Sequence, residues 1–283
     1  MRTLTATAAD GTALVADEYG PAGETPVVCL PGLTRNARDF ADLAAALSAP
    51  DETPPRRVIV LESRGRGRSG RADGATYTLL QELDDLLAAL KSFDVARAAF
   101  VGTSRGGLLT MLLAMRAPEM ISRVVLNDIG PRIEPEGLAR IGESVGTTMA
   151  FKSFEDLGAR LEKALGPQFP ALGPDGFVRL ARQLASEDGE GVRFDYDPAL
   201  ADPFRATNAP IDPPDFWPGF DALLGVPVMV IRGAHSDLLS AATVEAMRRR
   251  HARLTTFIAH GEGHAPLLWD AASQSAIQRF LSA

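Results

Sequence analysis

The chain has 283 residues, of which 46% are hydrophobic and 23% charged, and its formal net charge is −7. This length is enough for one α/β domain with a large core and does not require two independent domains. The scattered basic residues argue against a nucleic-acid partner, and no apolar run approaches the roughly 20 residues of a membrane span. The first residues lack the apolar core of a secretory signal, and the single Cys29 fits a reducing compartment, so we expect a cytoplasmic protein.

Short β-branched runs alternate with longer amphipathic stretches in the first part of the chain. Residues 3–8 and 12–19 predict a hairpin that turns at Asp10-Gly11. The other predicted elements are strands at 26–30, 57–61, 98–101 and 123–126, and helices at 37–49, 79–93 and 108–116. This alternation predicts a mostly parallel sheet with helices on both faces.

The alternation stops between residue 132 and about residue 224. Helices are predicted there near 135–150, 153–165 and 176–186, and a proline-rich stretch follows them. Strands and helices then alternate again, at 226–231, 241–250, 254–258 and 266–281. We therefore predict an α/β core formed by residues 1–131 and 225–283, with residues 132–224 inserted as a helical cap or lid.

A candidate nucleophile lies in Gly102-Thr103-Ser104-Arg105-Gly106-Gly107, between a predicted strand and a predicted helix. Glycines two residues before and after Ser104 allow the chain to reverse sharply at the serine. A serine that only caps a helix, beside glycines that only allow close packing, would give the same sequence. The strand–turn–helix setting favours Ser104 as a nucleophile at the carboxyl edge of the sheet.

A serine nucleophile needs a base and a carboxylate that orients the base. His264 is the predicted base because it lies in a glycine-rich loop after the last strand, with His260 as a second choice. His251, which follows three arginines, is predicted to be a solvated cation at a helix end. Asp237 follows the 226–231 strand and fits the chain order serine, acid, histidine, so it is the predicted acid. Asp128 also follows a strand and is the alternative acid, although it fits a turn or cap equally well.

Hydrolysis of an acyl bond also needs N–H donors aimed at the oxygen of the tetrahedral intermediate. The backbone N–H of Arg105, directly after the serine, is the first predicted donor of this oxyanion hole. The second is the backbone N–H of Leu33, in the loop Pro31-Gly32-Leu33-Thr34 after the strand at 26–30.

The sequence resembles the α/β-hydrolase fold family, and within it the serine-nucleophile, cap-containing, esterase-like branch. The matching pieces occur in family order and cover the sheet-forming parts of the chain: Leu30-Pro31-Gly32-Leu33, Glu62-Ser63-Arg64-Gly65-Arg66-Gly67-Arg68-Ser69, Gly102-Thr103-Ser104-Arg105-Gly106-Gly107, Gly233-Ala234-His235-Ser236-Asp237 and Gly263-His264. The chain departs from many relatives at Glu62, where they have aspartate, and at Arg105, where methionine or glutamine is frequent. The resemblance implies a hydrolase that needs no cofactor and no metal.

The expected reaction is hydrolysis of a small or medium carboxylic ester through an acyl-enzyme on Ser104. The expected partner is a small acyl substrate, with no nucleic acid and no membrane, held in an apolar pocket under the cap. Apolar residues of the predicted cap are candidates for the pocket lining: Met149, Phe151, Phe154, Phe216 and Trp217.

Three alternatives remain open from the sequence. A carbon–carbon bond hydrolase of a ring-cleavage product would use a basic group, for which Arg105 is a candidate, to bind the substrate carboxylate. A lactonase is the second alternative. The third is a ligand-binding receptor that hydrolyses slowly.

Overall fold

A computed structural model describes residues 1–22, 25–50, 53–205 and 214–283, except for the side chains of residues 203 and 205. The strands of these ranges are, in chain order, β1 (Arg2–Thr7), β2 (Ala13–Tyr19), β3 (Val27–Leu30), β4 (Val58–Glu62), β5 (Ala98–Thr103), β6 (Ile121–Asn127), β7 (Ala185–Asp188), β8 (Gly191–Phe194), β9 (Val228–Gly233) and β10 (Leu254–Ala259). The α-helices are α1 (Ala41–Ser48), α2 (Leu79–Ser92), α3 (Arg105–Arg116), α4 (Pro135–Ser144), α5 (Phe154–Leu165), α6 (Gly173–Leu184), α7 (Asp202–Arg205), α8 (Trp217–Asp221), α9 (Ala241–Arg250) and α10 (Ala271–Ser282).

Eight strands form one sheet in the spatial order β1-β2-β4-β3-β5-β6-β9-β10. Within this sheet, the neighbouring strands β4, β3, β5, β6, β9 and β10 are all parallel, whereas β2 is antiparallel to both β1 and β4. The predicted first hairpin and the predicted mostly parallel sheet are therefore confirmed. Because the carboxyl ends of parallel strands share one edge, the loops after β3, β5, β6, β9 and β10 all begin there.

Helices cover the sheet on both faces and bury it. Val28 and Leu30 of β3 belong to one apolar cluster, with side chains of α2 and α3. Their neighbours Val27 and Cys29 belong to the cluster on the opposite face, with side chains of α1 and α10. This alternation is typical of a strand packed on both sides. Cys29 is a free, fully buried thiol of this core, and burial raises its pKa.

The segment between β6 and β9 contains α4 to α8 and a small hairpin of β7 and β8. Helices α5 and α6 pack around their own apolar cluster, which also includes Phe151 of this segment and Leu267 of the loop before α10. The three predicted helices are present, although the first ends at Ser144. The hairpin was not predicted, because strands of only four residues are too short to give a clear periodicity. Residues 206–213 of the predicted cap lie outside the described ranges.

None of the helices in the described ranges is both long enough and apolar enough to cross a bilayer.

Candidate active site

Ser104 lies at a sharp turn between β5 and α3. Its backbone φ and ψ are 51° and −116°, a region that residues other than glycine rarely adopt. Ser104 N donates to Asn127 O over 2.9 Å, and Gly107 N donates to Ser104 O over 2.9 Å, so both sides of the turn are fixed. A Cβ at position 106 would lie 1.9 Å from Leu30 O, so only glycine fits there. The turn presents the serine at the carboxyl edge of the sheet.

His264 contacts Ser104 as the sequence predicts. Its Nε2 lies 2.9 Å from Ser104 Oγ. The histidine is held in the loop after β10, where its backbone N donates to Gln168 Oε1 over 3.0 Å. The alternative base, His260, is exposed at the end of β10. His251 is not the solvated cation that we predicted: it is buried, and its Nε2 lies 3.0 Å from Leu223 O.

The carboxylate beside His264 belongs to Asp128, not to Asp237. His264 Nδ1 lies 2.8 Å from Asp128 Oδ2. Asp128 directly follows β6, is fully buried, and accepts two further hydrogen bonds, from Gly233 N (2.8 Å) and Ser236 Oγ (2.5 Å). The structure thus corrects the predicted partner of His264, and the alternative Asp128 occupies that position.

Asp237 faces the segment between β6 and β9 instead. Its carboxylate accepts from Arg140 Nε over 2.6 Å, from Arg140 Nη2 over 2.9 Å and from Gln168 Nε2 over 2.8 Å. Partial burial opposes ionisation of Asp237, but the bonds from Arg140 outweigh it and hold its pKa below the usual range. The side chain is therefore a charged anchor for Arg140.

Leu33 and Arg105 lie beside Ser104, as the prediction of an oxyanion hole requires. The three residues line one cavity of about 90 Å³. Arg105 is the first residue of α3, where backbone N–H groups have no acceptor within the helix. The remaining lining of this cavity is apolar: Leu108, Ile129, Ile133, Leu138, Ile141, Phe204 and Leu238.

Leu33 and Arg105 are both connected to a buried ionic cluster, which consists of Arg66, Glu82 and the Arg105 side chain. No local sequence pattern predicts this cluster. Glu82 Oε1 accepts from Arg66 Nη1 (2.9 Å) and from Arg105 Nη2 (2.8 Å), and Glu82 Oε2 accepts from Arg105 Nε (2.9 Å). Arg66 Nε in turn donates to Leu33 O over 2.7 Å. Burial alone raises the pKa of Glu82, but the two guanidinium charges outweigh burial and lower it. The Arg105 side chain is therefore bound to Glu82 through Nε and Nη2, and its candidate role as the basic group for a substrate carboxylate stays a prediction.

A second, larger cavity of about 200 Å³ also opens onto Ser104 and His264. Two arginines that the sequence analysis missed, Arg35 and Arg140, line it. Arg35 follows Leu33 by two residues in the loop after β3, so proximity to the predicted oxyanion hole was an available signal. The apolar part of the lining comes mainly from the segment between β6 and β9: Ile141, Val145, Leu161, Ala164, Leu165, Leu184 and Phe194.

None of the five apolar candidates for the pocket lining lines either cavity. Phe151 and Phe216 are buried in separate apolar clusters. Met149 is 45% exposed at the surface. Phe154 and Trp217 lie under the guanidinium groups of Arg182 and Arg250, respectively. Hydrophobic character alone did not distinguish pocket residues from packing residues in this segment.

Glu262, two residues before the histidine, carries a strongly shifted carboxyl group. Burial raises its pKa to about 7, helped by the charge of Asp270 and opposed by a hydrogen bond from Leu267 N. The folded protein therefore holds this proton more tightly than the unfolded chain, so the stability that Glu262 contributes is fully present below about pH 4.5 and is lost as pH rises through about 7.

We expect Glu262→Gln to be more stable than the wild type at pH 8 because the variant has no carboxyl group to ionise. The difference in the free energy of unfolding should grow from about pH 4.5 to about pH 7 and then level off. Urea denaturation at pH 5, 6, 7 and 8 measures it. Glu245→Gln on the exposed face of α9 is the control, and an equal pH dependence in both variants would contradict the prediction.

Several known proteins that resemble this chain are hydrolases. A family model described as "Alpha/beta hydrolase family" matches residues 27–276. A 3-hydroxybutyrate-oligomer hydrolase of Cupriavidus necator is 34% identical over 273 residues, which cover 94% of this chain and 91% of that protein. A 2-(acetamidomethylene)succinate hydrolase of Mesorhizobium japonicum is 27% identical over 234 residues, which cover 82% of this chain and 79% of that protein.

A solved structure gives the same result. The crystal structure of an alpha/beta hydrolase from Novosphingobium aromaticivorans superposes with a TM-score of 0.92 at 40% identity. The match covers 99% of this chain and 98% of that one. Together, the fold, the family match and these relatives show that the chain belongs to the α/β-hydrolase family.

Proposed function

We propose that the protein is a serine hydrolase that cleaves a small or medium carboxylic ester through an acyl-enzyme on Ser104. One observation carries the proposal, the continuous hydrogen-bonded chain from Ser104 to Asp128. Its two links are Ser104 Oγ–His264 Nε2 (2.9 Å) and His264 Nδ1–Asp128 Oδ2 (2.8 Å). This is the arrangement that turns a weakly nucleophilic hydroxyl into an attacking group.

The proposed reaction begins when Ser104 Oγ attacks the ester carbonyl and His264 takes the hydroxyl proton. The buried Asp128 carboxylate stabilises the imidazolium that forms. The backbone N–H groups of Leu33 and Arg105 bind the negative oxygen of the tetrahedral intermediate, each contributing on the order of 3 kcal/mol. His264 then protonates the leaving alkoxide, the carbon–oxygen bond breaks, and water attacks the acyl-enzyme to release the acid.

The two cavities that meet at Ser104 suit the two halves of an ester. The smaller one is lined by apolar side chains beside Leu33 and Arg105, which fits a short acyl chain. The larger one contains His264, the group that protonates the leaving oxygen, and therefore fits the alcohol part. The 3-hydroxybutyrate-oligomer hydrolase among the relatives supports a short ester as the substrate.

We further propose that residues 132–224 act as the cap over this site. Arg140, Leu161 and Phe194 of this segment line the larger cavity together with Ser104. Asp237 and Arg140 join the segment to the loop after β9, and Gln168 joins it to His264. The cap in this view both covers the substrate and contacts the base.

Trapping of the acyl-enzyme tests the proposed function. Wild-type protein mixed with a panel of p-nitrophenyl esters of graded acyl length and quenched in acid should carry the acyl group on Ser104, detected by mass spectrometry. Steady release of p-nitrophenol should accompany it, with preference for short chains. Ser104→Ala should give neither adduct nor turnover, and turnover unchanged in that variant would contradict the proposal.

The same experiment, extended with a lactone and a ring-cleavage product, separates the alternatives. A receptor that hydrolyses slowly would acylate once and then stall, so the adduct would persist while p-nitrophenol release stopped. A lactonase would prefer cyclic esters over the open-chain panel. A carbon–carbon bond hydrolase would turn over a ring-cleavage product faster than any ester of the panel.

A further inference from the structure

The larger cavity has a positively charged lining in a chain of net negative charge. Arg35 and Arg140 contribute guanidinium groups to it, and none of the described residues that line it is an aspartate or glutamate. Both arginines are partly accessible, with side-chain exposures of 21% and 30%. An apolar ester would gain nothing from this charge, whereas an anionic one would.

Arg35 lies directly beside the nucleophile. A Cβ built on Gly32 would lie 3.3 Å from Arg35 Cγ and 3.8 Å from Ser104 Cβ, so the two side chains flank the same glycine. Arg35 Nε donates to both oxygens of Asp39, over 2.7 and 2.8 Å. Its Nη1 and Nη2 atoms make no hydrogen bond to any residue in the described ranges, which leaves them free for a ligand.

Arg140 is also held by a carboxylate, that of Asp237. Asp237 accepts from Nε and Nη2, and within the part of the chain that the structure describes Nη1 has no acceptor. Gln168 braces Asp237 through a 2.8 Å hydrogen bond. Neither Asp39 nor Asp237 lines the cavity. Each carboxylate therefore fixes its arginine from outside the cavity. Part of each guanidinium group stays available to a hydrogen-bond acceptor of the substrate.

We propose that Arg35 and Arg140 bind the carboxylate of the leaving alcohol, so that the substrate is an ester of a hydroxycarboxylic acid. This inference rests on the proposed function and names its substrate class. Guanidinium groups bind carboxylates through directional, charge-assisted hydrogen bonds, which are stronger than neutral ones. Since the arginines share a cavity with His264, the charge belongs to the part of the substrate that receives the proton from this histidine.

A dimer of 3-hydroxybutyrate has this chemistry. Attack at its ester carbonyl transfers the 3-hydroxybutyryl group to Ser104 Oγ and breaks the bond to the second unit. That unit leaves as an alkoxide, takes the proton from His264 and becomes free 3-hydroxybutyrate, with its carboxylate held by the arginines. Water then releases the first unit from Ser104.

The test compares kcat/KM for the dimer as the free acid and as its methyl ester, which lacks the negative charge. We expect the wild type to favour the acid by about tenfold or more, since hydrogen bonds to charged groups are stronger than those between neutral groups. The paired variants Arg35→Gln/Asp39→Asn and Arg140→Gln/Asp237→Asn remove each cation without leaving an unpaired carboxylate. Each should lower the ratio of acid to methyl ester by about tenfold, mainly through KM.

Arg250→Gln/Asp221→Asn is the matched control, because this exposed pair has the bonding pattern of Arg140 and Asp237 but lies outside the cavity. The ratio should be that of the wild type in this variant. A wild-type ratio near one with both esters turned over, or a ratio unchanged in both arginine variants, would overturn the inference alone. Absence of turnover and of acylated Ser104 with both esters would instead overturn the proposed function, and the inference with it.

Discussion

Replacing Asp128 with asparagine is expected to lower kcat for ester hydrolysis by about 10⁴-fold, the loss typical of this change in a serine–histidine–aspartate triad. Asp128 Oδ2 accepts the hydrogen bond of His264 Nδ1 over 2.8 Å, which leaves Nε2 unprotonated and facing Ser104 Oγ. An amide nitrogen in place of that oxygen donates to Nδ1 and stabilises the opposite tautomer, in which Nε2 carries the proton. A histidine in that tautomer cannot take the proton of Ser104.

Asp237→Asn is the comparison that separates the two candidate acids. This change weakens the hold on Arg140 and is expected to raise KM for an anionic ester, with kcat lowered by less than about tenfold. Steady-state kinetics of both variants give kcat and KM, and circular dichroism with thermal melting checks that both are folded. A kcat loss of about 10⁴-fold in Asp237→Asn and a small one in Asp128→Asn would reverse the assignment.

The choice between these aspartates shows where the sequence was informative and where it was not. The chain order serine, acid, histidine cannot separate Asp128 from Asp237, because both lie between Ser104 and His264. The two differ in what surrounds them. Asp237 is hydrogen-bonded to Arg140 and Gln168, which lie 97 and 69 residues away from it along the chain. No local pattern reports such contacts.

The parts of the fold that were predicted correctly depend on local patterns. The buried strands β3, β4 and β5 show as short apolar runs, and the turn at Ser104 shows in its flanking glycines. The lining of the cavities depends instead on how the segment between β6 and β9 packs. Phe151 was a reasonable pocket candidate, yet it belongs to the apolar cluster of α5 and α6, while Arg140 lines the larger cavity.

The largest expected effect on stability is that of Glu82→Gln. Glu82 is 2% exposed and is the shared carboxylate of Arg66 and Arg105, of which Arg66 is 1% exposed. Glutamine keeps the shape but removes the charge, which leaves a buried guanidinium group uncompensated. We expect the free energy of unfolding to fall by about 3–5 kcal/mol, as measured by guanidinium chloride denaturation at pH 7.

Asp221→Asn is the matched control, since Asp221 also accepts two hydrogen bonds from one arginine, Arg250. That pair is exposed, so its loss should lower the free energy of unfolding by less than about 1 kcal/mol. Equal losses of unfolding free energy in Glu82→Gln and Asp221→Asn would show that burial of the cluster does not increase its contribution to stability.

The cluster also connects stability to catalysis. Arg66 Nε holds Leu33 O, and Glu82 holds the side chain of Arg105, so the same carboxylate fixes both residues of the proposed oxyanion hole. Molecules of Glu82→Gln that remain folded should therefore show a lower kcat with a smaller change in KM, because the donors act mainly on the transition state. Kinetics at a temperature well below the variant's melting transition measure this. A kcat equal to that of the wild type there would show that the cluster supports the fold without positioning the donors.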